Sequence, residues 1–309
     1  MTELSVIIPT HNPDRVRLQR CLEGLARQTL APERWELVVV DNDSLPAVTL
    51  PTHAIAAPVR IVRESERGLT PARLRGFSES RGSFVVLVDD DNVLCPDYLE
   101  KALARFAQHP NLGALGGPVE PEWDVVPEPW VIEFSGLLAL HEHGPDFLLQ
   151  RGGADALWPR FAPVGAGLCI RRAALRSYLV ALETSPERLQ FDRRGASLAS
   201  GGDNDLVFTV LHAGWDIGYD PALVVKHLIP ERRTRLEYLA ELNESIQHSW
   251  VRVLHLHKQC PWRPIPRWTV PLRSARAWIR YRAWRSPARY VRWRGARGHF
   301  RGQADIRNA

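Results

Sequence analysis

Three consecutive acids, Asp89, Asp90 and Asp91, follow the apolar run Phe84-Val85-Val86-Leu87-Val88. A run rich in β-branched residues fits a strand buried on both faces. Carboxylates at the end of such a strand are costly unless a cation compensates them. Hard divalent cations such as Mg2+ prefer oxygen ligands, so a metal site is one chemistry this pattern allows. A solvated acidic turn before Pro96 is the other. Two further carboxylates stand in similar places. Asp41 ends the apolar run Val38-Val39-Val40. Asp203 follows Gly201 and Gly202 and opens an apolar stretch with Leu206, Val207, Val210 and Leu211, with Asp205 two residues on. Asp203 suits a general base, and it equally suits a helix N-cap. His227 follows the segment 223–226; an imidazole there fits a metal, Mn2+ better than Mg2+, or a structural role.

The elements that must hold these residues alternate along the chain. Strands are predicted over 4–8, 35–40, 59–62 and 84–88, with helices starting at Asn12, near Thr70 and over 96–107. Asn12 reads as the cap of the first helix, with Pro13 in its first turn. Residues 119–160 break the pattern with Pro, Trp and acids and read as a long functional loop. Regularity returns over 161–170, in a helix near 203–212, in strands within 216–225 and in a long helix over 235–257. Strands alternating with helices predict an α/β class with a mostly parallel sheet flanked by helices. In open sheets of this kind ligands sit where strands end.

The chain has 309 residues, 45% of them hydrophobic and 24% charged, the balance of a soluble globular protein. Its four cysteines, Cys21, Cys95, Cys169 and Cys260, form no CxxC pair, so a reducing compartment and no zinc site are expected. Residues 4–9 already read as a strand without a basic leader, so no secretory signal is expected. No apolar stretch approaches the roughly 20 residues that span a bilayer. Charge is uneven: residues 245–309 hold 14 Arg and one Lys against a single acid, a balance of +14, which leaves −9 for the rest of a chain whose total is +5. Six of the 11 Trp lie there too. Arg interleaved with Trp is the composition of a segment at an anionic membrane surface. Nucleic-acid binding and packing against an acidic domain are the alternatives.

Five segments together resemble a glycosyltransferase of the GT-A fold, in the large inverting family 2, over roughly residues 4–230. They are Leu4-Ser5-Val6-Ile7-Ile8-Pro9-Thr10-His11-Asn12, Val38-Val39-Val40-Asp41-Asn42-Asp43-Ser44, Gly68-Leu69-Thr70-Pro71-Ala72-Arg73, Leu87-Val88-Asp89-Asp90-Asp91, and Gly201-Gly202-Asp203-Asn204-Asp205-Leu206 followed by Ala213-Gly214-Trp215. They stand in the family's order. The resemblance implies a Rossmann-like catalytic domain over 1–232, with a nucleotide-sugar half (1–118) and an acceptor half (119–232). Residues 233–309 then form a C-terminal helix and an Arg/Trp-rich, basic helical extension.

The resemblance also implies roles. Pro9, Thr10, Asn12, Asp41, Arg73, Asp89 and Asp90 would bind the donor. Asp91 with Asp89, and His227 further on, would hold Mg2+ or Mn2+ as the DxD metal site. Asp203 would be the catalytic base, with Asp205 in reserve. The family usually shows an acid immediately before this aspartate, and Gly202 stands there instead. Trp123, Trp130 and Trp158 are candidates for stacking on sugars or for filling a core, and the glycines of Val164-Gly165-Ala166-Gly167-Leu168 for close approach to a sugar or for a crowded turn. The expected reaction moves a sugar from a nucleotide-diphosphate donor, a UDP-sugar by resemblance, to a hydroxyl of a glycan or lipid-linked acceptor, in the synthesis of an exopolysaccharide or other surface polymer. The enzyme would be cytoplasmic and peripheral at the inner face of the membrane, with no nucleic-acid partner. A sugar-phosphate nucleotidyltransferase is disfavoured because Pro9-Thr10-His11-Asn12 is not a glycine-rich triphosphate loop. A non-catalytic binding protein on a transferase scaffold stays open because of Gly202.

Overall fold

Leu4–Thr10 and Trp35–Asp41 are buried at every position, as a strand covered on both faces must be, and they form β1 and β2. The computed structural model describes residues 2–50, 55–195 and 197–306. Six more strands complete an eight-stranded sheet in the order β3-β2-β1-β4-β9-β6-β10-β8. They are β3 (Val59–Arg63), β4 (Phe84–Leu87), β6 (Leu112–Gly116), β8 (Leu148–Gln150), β9 (Cys169–Arg171) and β10 (Asp216–Tyr219). β1 runs parallel to β2 and β4, β2 to β3, and β6 to β10. β9 is antiparallel to β4 and β6, and β8 to β10. The sheet is therefore mixed α/β and mostly parallel, as expected.

The strand order decides where a ligand belongs. From β1 the chain moves outward to β2 and β3, then returns to β4 on the other side of β1. The carboxyl ends of β1 and β4 thus flank a point where the order reverses, the usual ligand crevice of such sheets. Thr10 ends one strand and the acidic triplet follows the other. A second sheet, β5-β11-β7, joins β5 (Asn92–Leu94), β11 (Val225–Ile229) and β7 (Val119–Trp123). Helices α1 (Arg15–Ala26), α2 (Leu69–Glu79), α3 (Tyr98–Gln108), α5 (Arg172–Thr184) and α6 (Gly202–His212) accompany the strands, with a short α4 at Pro129–Ile132.

Several local expectations shift. Asp14, not Asn12, caps α1: its carboxylate accepts from the amides of Val16 and Arg17. Asn12 instead takes a left-handed backbone, φ +48°, in the turn before it. Residues 161–170 are irregular until β9 begins at Cys169. The core holds Ile7, Val38, Val85, Leu87, Ile170, Leu175, Val207 and Ile217, and Trp158 packs against it with its ring 4.4 Å from that of Phe208. Gly167 has φ +75° and lies against Tyr98 and Val225, so this glycine relieves a crowded turn.

The chain divides into two compact units. The sheet unit holds Met1–Glu122, Ala139–Pro186 and Leu206–Leu228; the other holds Trp123–Leu138, Glu187–Asp205 and Ile229–Ala309. In the second unit α7 (Leu236–Leu256), α8 (Thr269–Tyr281) and α9 (Pro287–Asp305) pack together. A Cβ added at Gly298 would collide with the backbone of Glu244, so glycine lets α9 approach α7 closely. The buried Glu244 carboxylate receives Arg294 Nε at 2.5 Å, Arg297 Nε at 2.9 Å and Arg301 Nη1 at 2.9 Å. Asp305 takes His248 Nε2 at 2.7 Å and Arg267 Nη2 at 2.9 Å. Four of the tail's arginines, Arg267, Arg294, Arg297 and Arg301, are thus paired with two carboxylates of the same unit. Among the described residues no helix is long and apolar enough to cross a membrane.

Burial pushes the Glu244 carboxyl up, but hydrogen bonds from Arg294, Arg301 and Arg297 outweigh it and hold the group below its ordinary value. Its stabilisation is therefore complete above the unfolded carboxylate's pKa and lost as pH falls through the folded one. Glu244→Ala leaves three guanidinium groups around an emptied site. A loss of about 3–5 kcal/mol is expected, the range for breaking a buried pair. Thermal melts across the acidic range will show it as a lower midpoint and a flatter acid limb. An unchanged midpoint would show the cluster to be inert.

Candidate functional site

The crossing of two short strands brings the first pair of site residues together. β5 and β11 run antiparallel with Asn92 opposite His227, and the Leu228 amide donates to the Asp91 carbonyl at 2.9 Å. His227 Nε2 consequently lies 3.6 Å from Asp91 Oδ2, with both residues buried. Asn92 Nδ2 donates to Asp91 Oδ1 at 3.1 Å, and Asn92 Oδ1 is buried with no hydrogen-bond partner. Thr10 Oγ1, at the end of β1, donates to Asp90 Oδ2. Asp89 is half-buried, and its carbonyl accepts the Cys21 thiol at 3.6 Å. That thiol registers the local field: burial, then the charges of Asp90, Asp91 and Asp89, push its pKa well above the usual value.

A carboxylate and an imidazole 3.6 Å apart are donor types that a divalent ion accepts. Among the described residues no group of three or more His, Cys, Asp or Glu side chains is placed to hold a metal.

At the end of β2 the chain builds a second rim. Asp41 Oδ1 accepts the Ser44 amide at 2.9 Å and Oδ2 the Val48 amide at 3.2 Å. Burial pushes this carboxyl up, but hydrogen bonds from Ser44 and Val48 outweigh it, so it is held below its ordinary value. Asn12 ties the two rims: its amide donates to Ser44 Oγ at 2.9 Å and its Oδ1 accepts the Leu45 amide at 2.9 Å. Asn42 Oδ1 accepts the Gly68 amide at 2.8 Å, and its Nδ2 donates to the Glu66 carbonyl at 2.7 Å. This clasp fixes the entry to α2, on which Arg73 is buried. Gly68 has φ +146°, a conformation glycine supplies. Pro9 lies inside β1, paired with Val40.

Asp203 and Asp205 belong to the second unit. Asp203 is half-buried in the first turn of α6, where its Oδ1 accepts the Asn204 amide at 2.9 Å. Asp205 is fully buried, and its Oδ1 takes Arg188 Nη1 at 2.5 Å and His257 Nε2 at 2.8 Å. Asp205 is committed to an ion cluster, whereas Asp203 sits at the helix opening.

Residues 5–179 match the family profile described as "Glycosyl transferase family 2". The chain belongs to glycosyltransferase family 2. It is 27% identical over 237 residues to an N-acetylglucosaminyltransferase of Rhizobium sp. (strain N33), which covers 74% of this chain and 49% of that relative. It is 28% identical over 145 residues to a glucosyl-dolichyl phosphate glucuronosyltransferase of Haloferax volcanii, 46% of each chain. The chain thus spans about half the length of these curated relatives. The crystal structure of S. aureus TarS 1-349 in complex with UDP-GlcNAc aligns with a TM-score of 0.50 at 14% identity, covering 99% of this chain and 92% of that one. The fold is the GT-A fold expected from the sequence.

Against the family 2 pattern, Gly202 now has a physical reason. A Cβ at this position would collide with the carboxylate of Asp192, and the Gly202 amide donates to Asp192 Oδ1 at 3.2 Å. The space an acid at 202 would need is already filled by a carboxylate ten residues earlier in the chain. Sequence patterns gave no sign of Asp192, Arg188 or His257, because their partners are set by contacts between distant segments that no local periodicity marks. Trp130 meets Phe134 edge-on with centroids 6.4 Å apart, and Trp123 ends β7 half-buried. Arg171 and Arg172 donate to backbone carbonyls, Arg171 to Leu112 at 2.9 Å and Arg172 to Gly82 at 2.6 Å.

Gly202→Ala is expected to cost about 1–3 kcal/mol, as overpacking does. Asp192→Ala in the same chain should recover part of that loss, since the two positions share one space. Urea denaturation of the four members of the cycle measures the coupling. Additive losses would mean that the Asp192 carboxylate does not occupy that space.

Proposed function

We propose that this chain is a metal-dependent, inverting glycosyltransferase that moves a sugar from a UDP-sugar to a hydroxyl of a glycan or lipid-linked acceptor. The observation that carries the metal dependence is the Asp91–His227 pair beside the unsatisfied Asn92 oxygen. UDP-GlcNAc is the first donor to test, because a relative is named an N-acetylglucosaminyltransferase and the TarS complex contains that compound. A surface polymer is the proposed destination.

In this reading Asp91, Asp89 and His227 would hold Mg2+ or Mn2+. When bound, such an ion supplies positive charge against the charge that builds on the departing diphosphate. Asp90, fixed by Thr10, and Asp41, fixed by its loop amides, present carboxylates of set orientation to the ribose and base. Arg73 supplies a guanidinium for phosphate oxygens. Asp203 takes the proton of the acceptor hydroxyl while that oxygen bonds to the anomeric carbon. The bond from that carbon to the phosphate oxygen breaks, and UDP leaves with its electron pair. Attack opposite the leaving group inverts the configuration.

The second unit would rest on a membrane surface, peripheral at the cytoplasmic face. Trp268, Leu272, Ile279 and Trp284 are large apolar side chains exposed on and beside α8, interleaved with arginines. Indole rings and arginines together favour the interfacial layer.

Asp203→Asn should lower kcat for transfer by about 10²–10⁴, the usual worth of a general base, with the affinity for UDP-GlcNAc unchanged. Release of UDP in the presence of acceptors, paired with calorimetric donor binding, separates the two. Unchanged turnover would remove Asp203 from the base role. Donor binding by the wild type without turnover on any acceptor would favour a binding protein.

A further inference from the structure

A cleft of about 920 Å³ opens among α7, α8 and α9, wholly within the second unit. Its size falls within the range of roughly 300–1,000 Å³ typical of small-ligand sites. Arg273, Arg276 and Arg280 line it from α8 and Arg292 from α9, with Tyr281 and Phe300 beside them. No Asp or Glu is among the described residues that line it. Gly295 of α9 is part of its wall, where the lack of a side chain lets the Asn243 amide of α7 pack against the helix.

Arg292, Arg294, Arg297 and Arg301 of α9 each have a carboxylate partner, whereas among the described residues Arg289 and the three arginines of α8 have none. Arg294, Arg297 and Arg301 of α9 converge on Glu244, and Arg292 pairs with Glu133 at 2.5 Å. On α8, Arg273 Nε donates only to the neutral Thr269 Oγ1, at 3.3 Å, and among the described residues Arg276 and Arg280 have no carboxylate partner. Positions 273, 276 and 280 fall on one face of a helix, where like charges repel. A phosphate relieves that repulsion and matches the guanidinium fork.

The surroundings choose among phosphates. Trp268, Leu272 and Ile279 are 73%, 65% and 67% exposed, and Leu272 is itself part of the cleft wall. A soluble phosphate makes no use of such side chains. An acyl chain attached to the phosphate does. We infer that this cleft receives the phosphate headgroup of an anionic membrane lipid, while Trp268, Leu272 and Ile279 enter the acyl boundary. This rests on the membrane-surface reading given above and sharpens it to one cleft.

The test is co-sedimentation of the full chain with phosphatidylcholine vesicles, with and without phosphatidylglycerol. Two double variants remove equal charge: Arg276→Gln/Arg280→Gln in the cleft, and Arg282→Gln/Arg285→Gln on exposed positions outside it. The cleft pair should weaken binding to phosphatidylglycerol vesicles about 30-fold, at about 1 kcal/mol per arginine, and the outer pair by less than about threefold. Equal losses would overturn the cleft and leave only diffuse surface charge. Displacement from the vesicles by inorganic phosphate at constant ionic strength would assign the cleft to a free anion and overturn the lipid. A wild type that ignores both kinds of vesicle would overturn the cleft and the membrane reading together. Turnover of UDP-GlcNAc in solution is unaffected by any of these results, so failure here is distinct from failure of the transferase reading.

Discussion

Carboxylates at the end of a buried parallel strand repel one another and their apolar surroundings, and the sheet unit is arranged around that cost. β1 and β4 end side by side where the strand order reverses, so Thr10 and the acidic triplet meet there. Thr10 donates to Asp90, Asn92 to Asp91, and His227 approaches Asp91 from a neighbouring strand. These contacts orient Asp90 and Asp91. Burial, and after it the charges of all three aspartates, push the Cys21 thiol up. Beside them the buried Asn92 Oδ1 has no hydrogen-bond partner.

The second unit meets the same problem in the opposite sign. Five of its arginines are held by three acids: the buried Glu244 holds three, the half-buried Asp305 holds Arg267 beside His248, and the buried Asp205 holds Arg188 beside His257. Each acid replaces solvent for the cations around it. Arg273, Arg276 and Arg280 of α8 have no such acid among the described residues, and large apolar side chains are exposed on the same helix. The same composition therefore does two jobs. Inside α7 and α9 it is packing, and along α8 it is a surface of basic and aromatic character.

Local signals carried most of the sheet unit. The runs ending at Thr10, Asp41 and Leu87 are continuous and β-rich, and all three became buried parallel strands. The acids at their ends were legible because a strand end is a position the sequence marks. The single histidine at 227 was legible only as a candidate, since its approach to Asp91 depends on a cross-strand register that no local pattern encodes. The cap of α1 moved from Asn12 to Asp14 because both residues suit a cap, and Asn12 is instead held by Ser44 and Leu45 from another loop. Gly202 read as a missing acid. Only three dimensions reveal that Asp192 fills the space. The tail's composition permitted both packing and surface binding, and the division between α9 and α8 lies in which arginines find a carboxylate.

The metal claim is tested most directly by the affinity of UDP for the wild-type chain, measured by calorimetry with Mn2+ and again with a chelator in its place. The account predicts at least about tenfold tighter binding with Mn2+, which is about 1.4 kcal/mol, and loss of that gain in His227→Ala. UDP binding of equal strength with and without the ion would contradict it.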